Sequence, residues 1–237
     1  MTAVAIEFDA LVKQFGKQKA VNNLTAVIHS GRITGFLGPN GAGKSTTLRC
    51  LVGLSKPNSG SAKILGASYQ DLANPLQRVG VVLDSRGFHP ALTGKQNLKV
   101  VAAAAGILDS RVDEVLALVE LTDAADKRMK NYSLGMKQRL ALAGAILGDP
   151  EILILDEPAN GLDPAGIAWL RNFLRNLAAG GRTILVSSHQ LAEMQNTVDD
   201  VLIINRGSLI AQGTIAEVTK GESLEEAFLK LTGGQLS

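Results

Sequence analysis

This 237-residue chain has one cysteine, Cys50, one tryptophan and two tyrosines, and aromatics make up only 4% of it. A lone cysteine excludes an intrachain disulfide and suits a reducing compartment. Cys50 sits among Leu48, Leu51 and Val52 and is expected to be a buried structural thiol. Charge of one sign is scarce too: the formal net charge is +2. No basic block with interleaved aromatics appears, so the composition does not point to nucleic acid. The longest small-apolar run, 100–108, is far too short to cross a bilayer. The first residues lack the basic-then-apolar pattern of a signal peptide. Against these absences stand a hydrophobic fraction of 46% and a charged fraction of 19%, which describe a globular protein with a real core.

What is present is glycine, 25 residues of it, and its placement is informative. Gly38-Pro39-Asn40-Gly41-Ala42-Gly43-Lys44-Ser45-Thr46 fits G-x-x-x-x-G-K-[ST], the phosphate-binding loop. The apolar run 33–37 enters it as a short buried strand, and 46–54 leaves it as a helix. Glycines let consecutive N–H groups turn toward a phosphate, and the helix adds its free N–H groups and positive dipole end. Lys44 supplies a mobile charge for the β- and γ-phosphates, and the Ser45 hydroxyl suits Mg²⁺.

A second motif complements the first. Ile152-Leu153-Ile154-Leu155 is an apolar strand ending in Asp156-Glu157. Adjacent acids at a strand end can divide two tasks, Asp156 holding the metal directly or through water and Glu157 polarising the attacking water. Parallel α/β sheets bind ligands at the carboxyl ends of their strands.

Around these motifs the pattern predicts strands at 4–8, 24–29, 62–65, 79–83, 152–155 and 183–186. A hairpin is expected over 201–212, turning at Arg206-Gly207. Helix signals dominate 93–147, with capping pairs Thr93/Gln96 and Ser110/Asp113 and a cap at Ser133. Further helices are expected at 164–177 and 190–197, with a last one capped by Ser223/Glu226. The reading is an α/β core, 1–84 and 149–237, interrupted by a helical subdomain, 85–148.

Tyr132-Ser133-Leu134-Gly135-Met136-Lys137-Gln138-Arg139, shortly before Asp156-Glu157-Pro158, resembles the nucleotide-binding domain of ATP-binding cassette (ABC) transporters. The resemblance covers nearly the whole chain with the motifs in family order. It implies a P-loop NTPase (RecA-like) core, an N-terminal antiparallel β region and an inserted α-helical subdomain. It also implies an ATPase using ATP and Mg²⁺, coupled to a separate membrane permease. Export-type cassettes handling drugs or antimicrobial peptides are the nearest in pattern. Two copies would pair head to tail, so that Ser133 and Gly135 of one contact the γ-phosphate held by the other. Membrane contact would run only through the permease, at the cytoplasmic face, and no nucleic acid is expected. Non-transport cassettes acting on nucleic acid or ribosomes usually carry tandem cassettes, coiled-coil arms or basic extensions, and none is seen. A nucleotide-sensing regulatory module is the third reading, and Glu157 argues against it.

The resemblance carries further residues one at a time. Phe15 stands where an aromatic stacks on adenine, with core packing as the alternative. His189 matches the switch histidine that contacts the γ-phosphate and helps position water. Asp163 belongs to a loop that reaches across the dimer, or simply caps the helix that follows. Phe88 and Leu92 are candidates for the permease contact or for the core. The signature departs from the usual L-S-G-G-Q form at Tyr132, Leu134 and Met136. Asp84 replaces the family's glutamine as a candidate metal-side group, and its shorter, charged side chain needs a closer approach or a bridging water. His29 and His89 are expected to be structural or surface residues.

Overall fold

The computed structural model describes residues 3–83 and 87–233. In chain order the strands are β1 (Val4–Phe15), β2 (Gln18–His29), β3 (Ile33–Leu37), β4 (Ser59–Ile64), β5 (Val79–Val82), β6 (Ile152–Asp156), β7 (Thr183–Ser188), β8 (Asp200–Asn205) and β9 (Ser208–Thr214). The α-helices are α1 (Lys44–Leu51), α2 (Pro75–Arg78), α3 (Gly94–Ala105), α4 (Ser110–Leu118), α5 (Leu134–Ile146), α6 (Pro164–Ala179), α7 (Leu191–Gln195), α8 (Ile215–Thr219) and α9 (Leu224–Thr232).

Two sheets organise these elements. The larger runs β5-β6-β7-β3-β8-β9, parallel except for the β8–β9 hairpin. The smaller is antiparallel, in the order β2-β1-β4. Period-two alternation in the central strands sends side chains into two separate cores. Ile152 and Ile154 of β6 join Phe8, Leu24, Phe36 and Leu48 between the two sheets. Leu153 and Leu155 join Leu174, Val186 and Phe228 on the other face. Buried on both sides, β6 reads as a continuous apolar run, as parallel strands do. Cys50 is 5% exposed in the first core, and burial pushes its thiol pKa up.

Helices α3, α4 and α5 share the second core through Leu98, Val112, Val115, Leu116 and Leu140. The fold is therefore the expected α/β P-loop core with an antiparallel β region and an inserted helical block. Thr93 and Gln96 form a true capping box. The expected Ser110/Asp113 box does not form: the cap residue is Asp109, already in helical conformation, and its side chain makes no cap hydrogen bond. Asp109 is instead engaged by Lys99 Nζ at 2.6 Å. Strands β1 and β2 run well beyond 4–8 and 24–29, because β1 is kinked at Ala10, φ 44°, and continues pairing afterwards. The Ala10 N–H donates to Thr25 Oγ1 at 3.0 Å, which holds the irregularity in place.

Candidate functional site

The phosphate loop occupies the end of β3, where the chain leaves the sheet for α1. Its backbone is fixed by glycine chemistry at Gly43, the residue preceding α1, which sits at φ 108°. A β-carbon there would come within 2.2 Å of the Ala20 carbonyl oxygen, so no other residue fits without moving β2. No acidic side chain occupies the first turn of α1, leaving its N-terminal dipole end free for an anion.

Lys44 is 6% exposed. Its Nζ donates to the Gly38 carbonyl at 2.6 Å and lies 3.4 Å from Glu157 Oε1. The other carboxylate oxygen, Oε2, lies 2.8 Å from His189 Nδ1. Three groups from three neighbouring strand ends thus form one chain, Lys44–Glu157–His189. Parallel pairing explains the convergence: β3, β6 and β7 are contiguous and all end on the same side.

Glu157 is held by its backbone as well. Its φ is 50°, in the left-handed region that few non-glycine residues adopt. Its N–H donates to Ser187 Oγ at 2.9 Å, and that hydroxyl donates to Asp156 Oδ1 at 2.5 Å. One serine hydroxyl therefore orients both acids. Ser187 was not singled out from the sequence, yet it is register-paired with Asp156 across β6 and β7. Strand pairing is the information a single sequence withholds.

A cleft of about 540 Å³ is lined by Phe15, Gln18, Ala20, Pro39 to Thr46, Glu157, Asn160 and His189. Phe15 is 56% exposed, so the core-packing alternative fails and an aromatic face is left at the cleft wall. Lys13 Nζ lies 4.9 Å from the centre of that ring. Gln18 and Ala20 reach the cleft because β2 begins earlier than the sequence pattern indicates. Gly38 lies behind the lining as the acceptor for Lys44, and Asp156 lies beside it through Ser187. Asp84 falls outside the described residues.

Ser133 and Gly135 are elsewhere. They line a second cleft with Leu134, Met136, Arg139, Gly161, Asp163 and Trp169. Ser133 caps α5, its hydroxyl accepting from the Met136 N–H at 3.2 Å. Asp163 caps α6 through the Gly166 N–H at 2.8 Å. Arg139 stacks on Trp169 at 4.0 Å, a contact no sequence motif announced. Phe88 packs against the core at Gly144, which fits its core reading, and Leu92 is half-buried. His89 is exposed, and its ring nitrogen accepts from the Ala91 N–H at 3.3 Å.

A model of the ABC transporter family matches residues 21–160. The chain belongs to the ABC transporter family. This ABC ATPase is 45% identical over 205 residues to the bacitracin transport ATP-binding protein BcrA of Bacillus licheniformis, covering 85% of this chain and 67% of the relative. It is 36% identical over 223 residues to the lantibiotic transport ATP-binding protein SrtF of Streptococcus pyogenes, covering 94% and 95%. A solved ATP-binding subunit of an ABC transporter superposes with a TM-score of 0.86 at 28% identity, covering 96% of this chain and 99% of that one. The ABC ATPase is thus an ATP-binding and ATP-hydrolysing transporter subunit, and its phosphate loop and both acids lie within the matched segment. Among the described residues, no helix is long and apolar enough to cross a membrane.

Proposed function

We propose that this ABC ATPase drives export of an antimicrobial-peptide-type cargo through a separate membrane permease, with two copies pairing head to tail over two ATP molecules at the cytoplasmic face. The observation that carries the catalytic part is the chain Lys44–Glu157–His189 across one cleft. The cargo class rests on the bacitracin and lantibiotic transport proteins that the chain resembles.

Each residue has a role in this reading. Phe15 offers its face to adenine, since stacking suits any aromatic ring. Backbone N–H groups from Gly38 to Thr46 and the N-terminus of α1 receive the phosphates. Lys44, which donates to Gly38 in the structure, exchanges that acceptor for phosphate oxygens. Glu157 accepts a proton from the attacking water, whose oxygen bonds to the γ-phosphorus while the bond to the ADP oxygen breaks. His189 holds the Glu157 carboxylate in place through its 2.8 Å contact and stands beside the γ-phosphate. Ser45 is exposed on the cleft, and Asp156, at the end of β6, presents a carboxylate bonded to Ser187 beside Glu157. Hard oxygen donors of this kind fit Mg²⁺, which would neutralise charge on the phosphates when bound. Ser133 and Gly135, remote from the first cleft, would face the γ-phosphate of the second copy. In this reading the core 1–84 and 149–237 holds nucleotide, and the helical block 85–148 faces the permease.

The test is reconstitution with a membrane permease in lipid vesicles. ATP hydrolysis stimulated by a bacitracin- or lantibiotic-type peptide, and lost in Lys44→Ala, is the expected result. Turnover that responds to nucleic acid and not to permease would sink the transport reading. Pairing has its own reporter, because Trp169, the chain's one tryptophan, lines the second cleft. Its emission should change with ATP in a concentration-dependent manner, and an unchanged spectrum would count against pairing at that face.

A further inference from the structure

We infer that Leu134 is a positioning residue for Glu157, linking the second cleft to the catalytic acid within a single chain. The inference rests on the proposed pairing of two copies, because it gives the Ser133 cleft a phosphate to receive.

The contact is specific. Leu134 is the first residue of α5 and is 50% exposed. A half-exposed apolar side chain at that position contributes little to the helix itself. Its Cδ2 methyl lies against Gly161, close enough that a β-carbon at Gly161 would come within 2.2 Å of it. Gly161 sits at φ 74°, a conformation that disfavours a side chain independently of the contact. The complement is reciprocal: Leu162 Cδ2 comes within 3.6 Å of where a β-carbon on Gly135 would stand. Two leucines therefore interlock over two glycines, α5 against the loop that follows Glu157. All four residues line the second cleft.

That loop has little freedom to absorb a displacement. The Asn160 N–H donates to the Glu157 carbonyl at 3.2 Å, and the Leu162 N–H to the Ala159 carbonyl at 3.1 Å. At its far end Asp163 is fixed as the cap of α6. At its near end Glu157 is in a left-handed conformation pinned to Ser187. A shift of α5 felt at Gly161 is therefore passed through two tight turns to the Glu157 backbone. The residues flanking Leu134, Ser133 and Gly135, are the ones proposed to meet the second copy's phosphate. Occupancy of that cleft and the position of the acid in the other cleft then depend on each other.

The test compares Leu134→Ala, which deletes the contacting methyls while retaining a good helix former, with Leu134→Met, which restores reach and volume. ATP affinity of the dilute, unpaired protein, read by titration calorimetry, should be unchanged in both, since Leu134 does not line the cleft around the phosphate loop. In Leu134→Ala, kcat should fall about 2- to 30-fold, the range seen for residues that couple sites without touching ligand, with KM held. Leu134→Met should recover most of kcat. A kcat for Leu134→Ala equal to the parent's, or a Leu134→Met as slow as Leu134→Ala, would overturn the inference. Gly135→Asp separates the two levels. If it abolishes turnover while Leu134→Ala is normal, only the coupling fails; if Gly135→Asp turns over normally, the pairing on which the inference rests fails.

Discussion

Replacing Glu157 by glutamine should move binding and turnover in opposite directions. The substitution keeps size and shape but removes one negative charge 3.4 Å from Lys44 Nζ. At that distance, with an effective dielectric of about 20, the pair's Coulomb attraction is on the order of 5 kcal/mol. Desolvation of two largely buried groups offsets most of it, leaving on the order of 1–2 kcal/mol of net stabilisation for Lys44 in its present place. A phosphate must displace that interaction, and the same carboxylate repels the phosphate. Removing the charge should therefore tighten ATP binding about tenfold, the equivalent of about 1.4 kcal/mol. Hydrolysis should fall by about 10²- to 10⁴-fold, the range for loss of a general base. Titration calorimetry with Mg·ATP and single-turnover hydrolysis measure the two quantities separately. A Glu157→Gln protein that hydrolyses ATP at the parent rate would refute the general-base assignment. One that binds ATP more weakly would refute the electrostatic argument about Lys44.

Three further outcomes follow from the geometry. Tyr132, 4% exposed, donates its hydroxyl to the Ala124 carbonyl at 2.7 Å. Tyr132→Phe should therefore cost about 1 kcal/mol and lower the melting temperature by roughly 2–4 °C, read by calorimetry. Glu217 and Glu226 close capping boxes with Thr214 and Ser223, whose backbone N–H groups and then hydroxyls hold both carboxyl pKa values below the ordinary 4.5. The stability they add is present above that ordinary value and lost as pH falls through the lowered one. A Glu217→Gln/Glu226→Gln protein should accordingly lose less stability than the parent between pH 5 and pH 3 in urea titrations, and parallel curves would contradict this. Cys50 is buried and its thiol pKa is raised, so a maleimide at pH 7 should label it only after denaturation. Fast labelling of the native protein would show that the core around α1 opens.

What the sequence disclosed and what it withheld divide along a physical line. Motifs whose chemistry is local were legible: glycines before Lys44, an apolar run before Asp156, a serine before α5. Each is fixed by residues within a few positions, and each sits where the spacing placed it. Features that depend on pairing between distant segments were not legible. Ser187 bridges Asp156 and Glu157 only because β7 lies beside β6 in register. Gln18 and Ala20 reach the cleft only because β2 extends past the point where apolar alternation stops. The kink at Ala10 needs a hydroxyl fifteen residues away, at Thr25, to hold it. Asp109 displaced the expected Ser110 box because Lys99, on the preceding helix, engages its carboxylate. In each case tertiary proximity overrode a local signal.

The structure also shows that the phosphate cleft neutralises itself. Lys44 is largely buried, and its ammonium is turned inward onto the Gly38 carbonyl and Glu157. A buried cation without such acceptors would carry a desolvation cost of several kcal/mol. The acid proposed for catalysis therefore doubles as the counter-ion that holds the lysine in place before nucleotide arrives. When phosphate oxygens take over the lysine, Glu157 Oε1 is released from that contact and becomes available to the attacking water. The same exchange leaves Glu157 held by His189, by its own left-handed backbone and by Ser187, so its position is kept. Lys44→Ala should for this reason impair more than phosphate binding: turnover measured at saturating ATP should stay below the parent's, and a parent-like rate there would contradict the exchange.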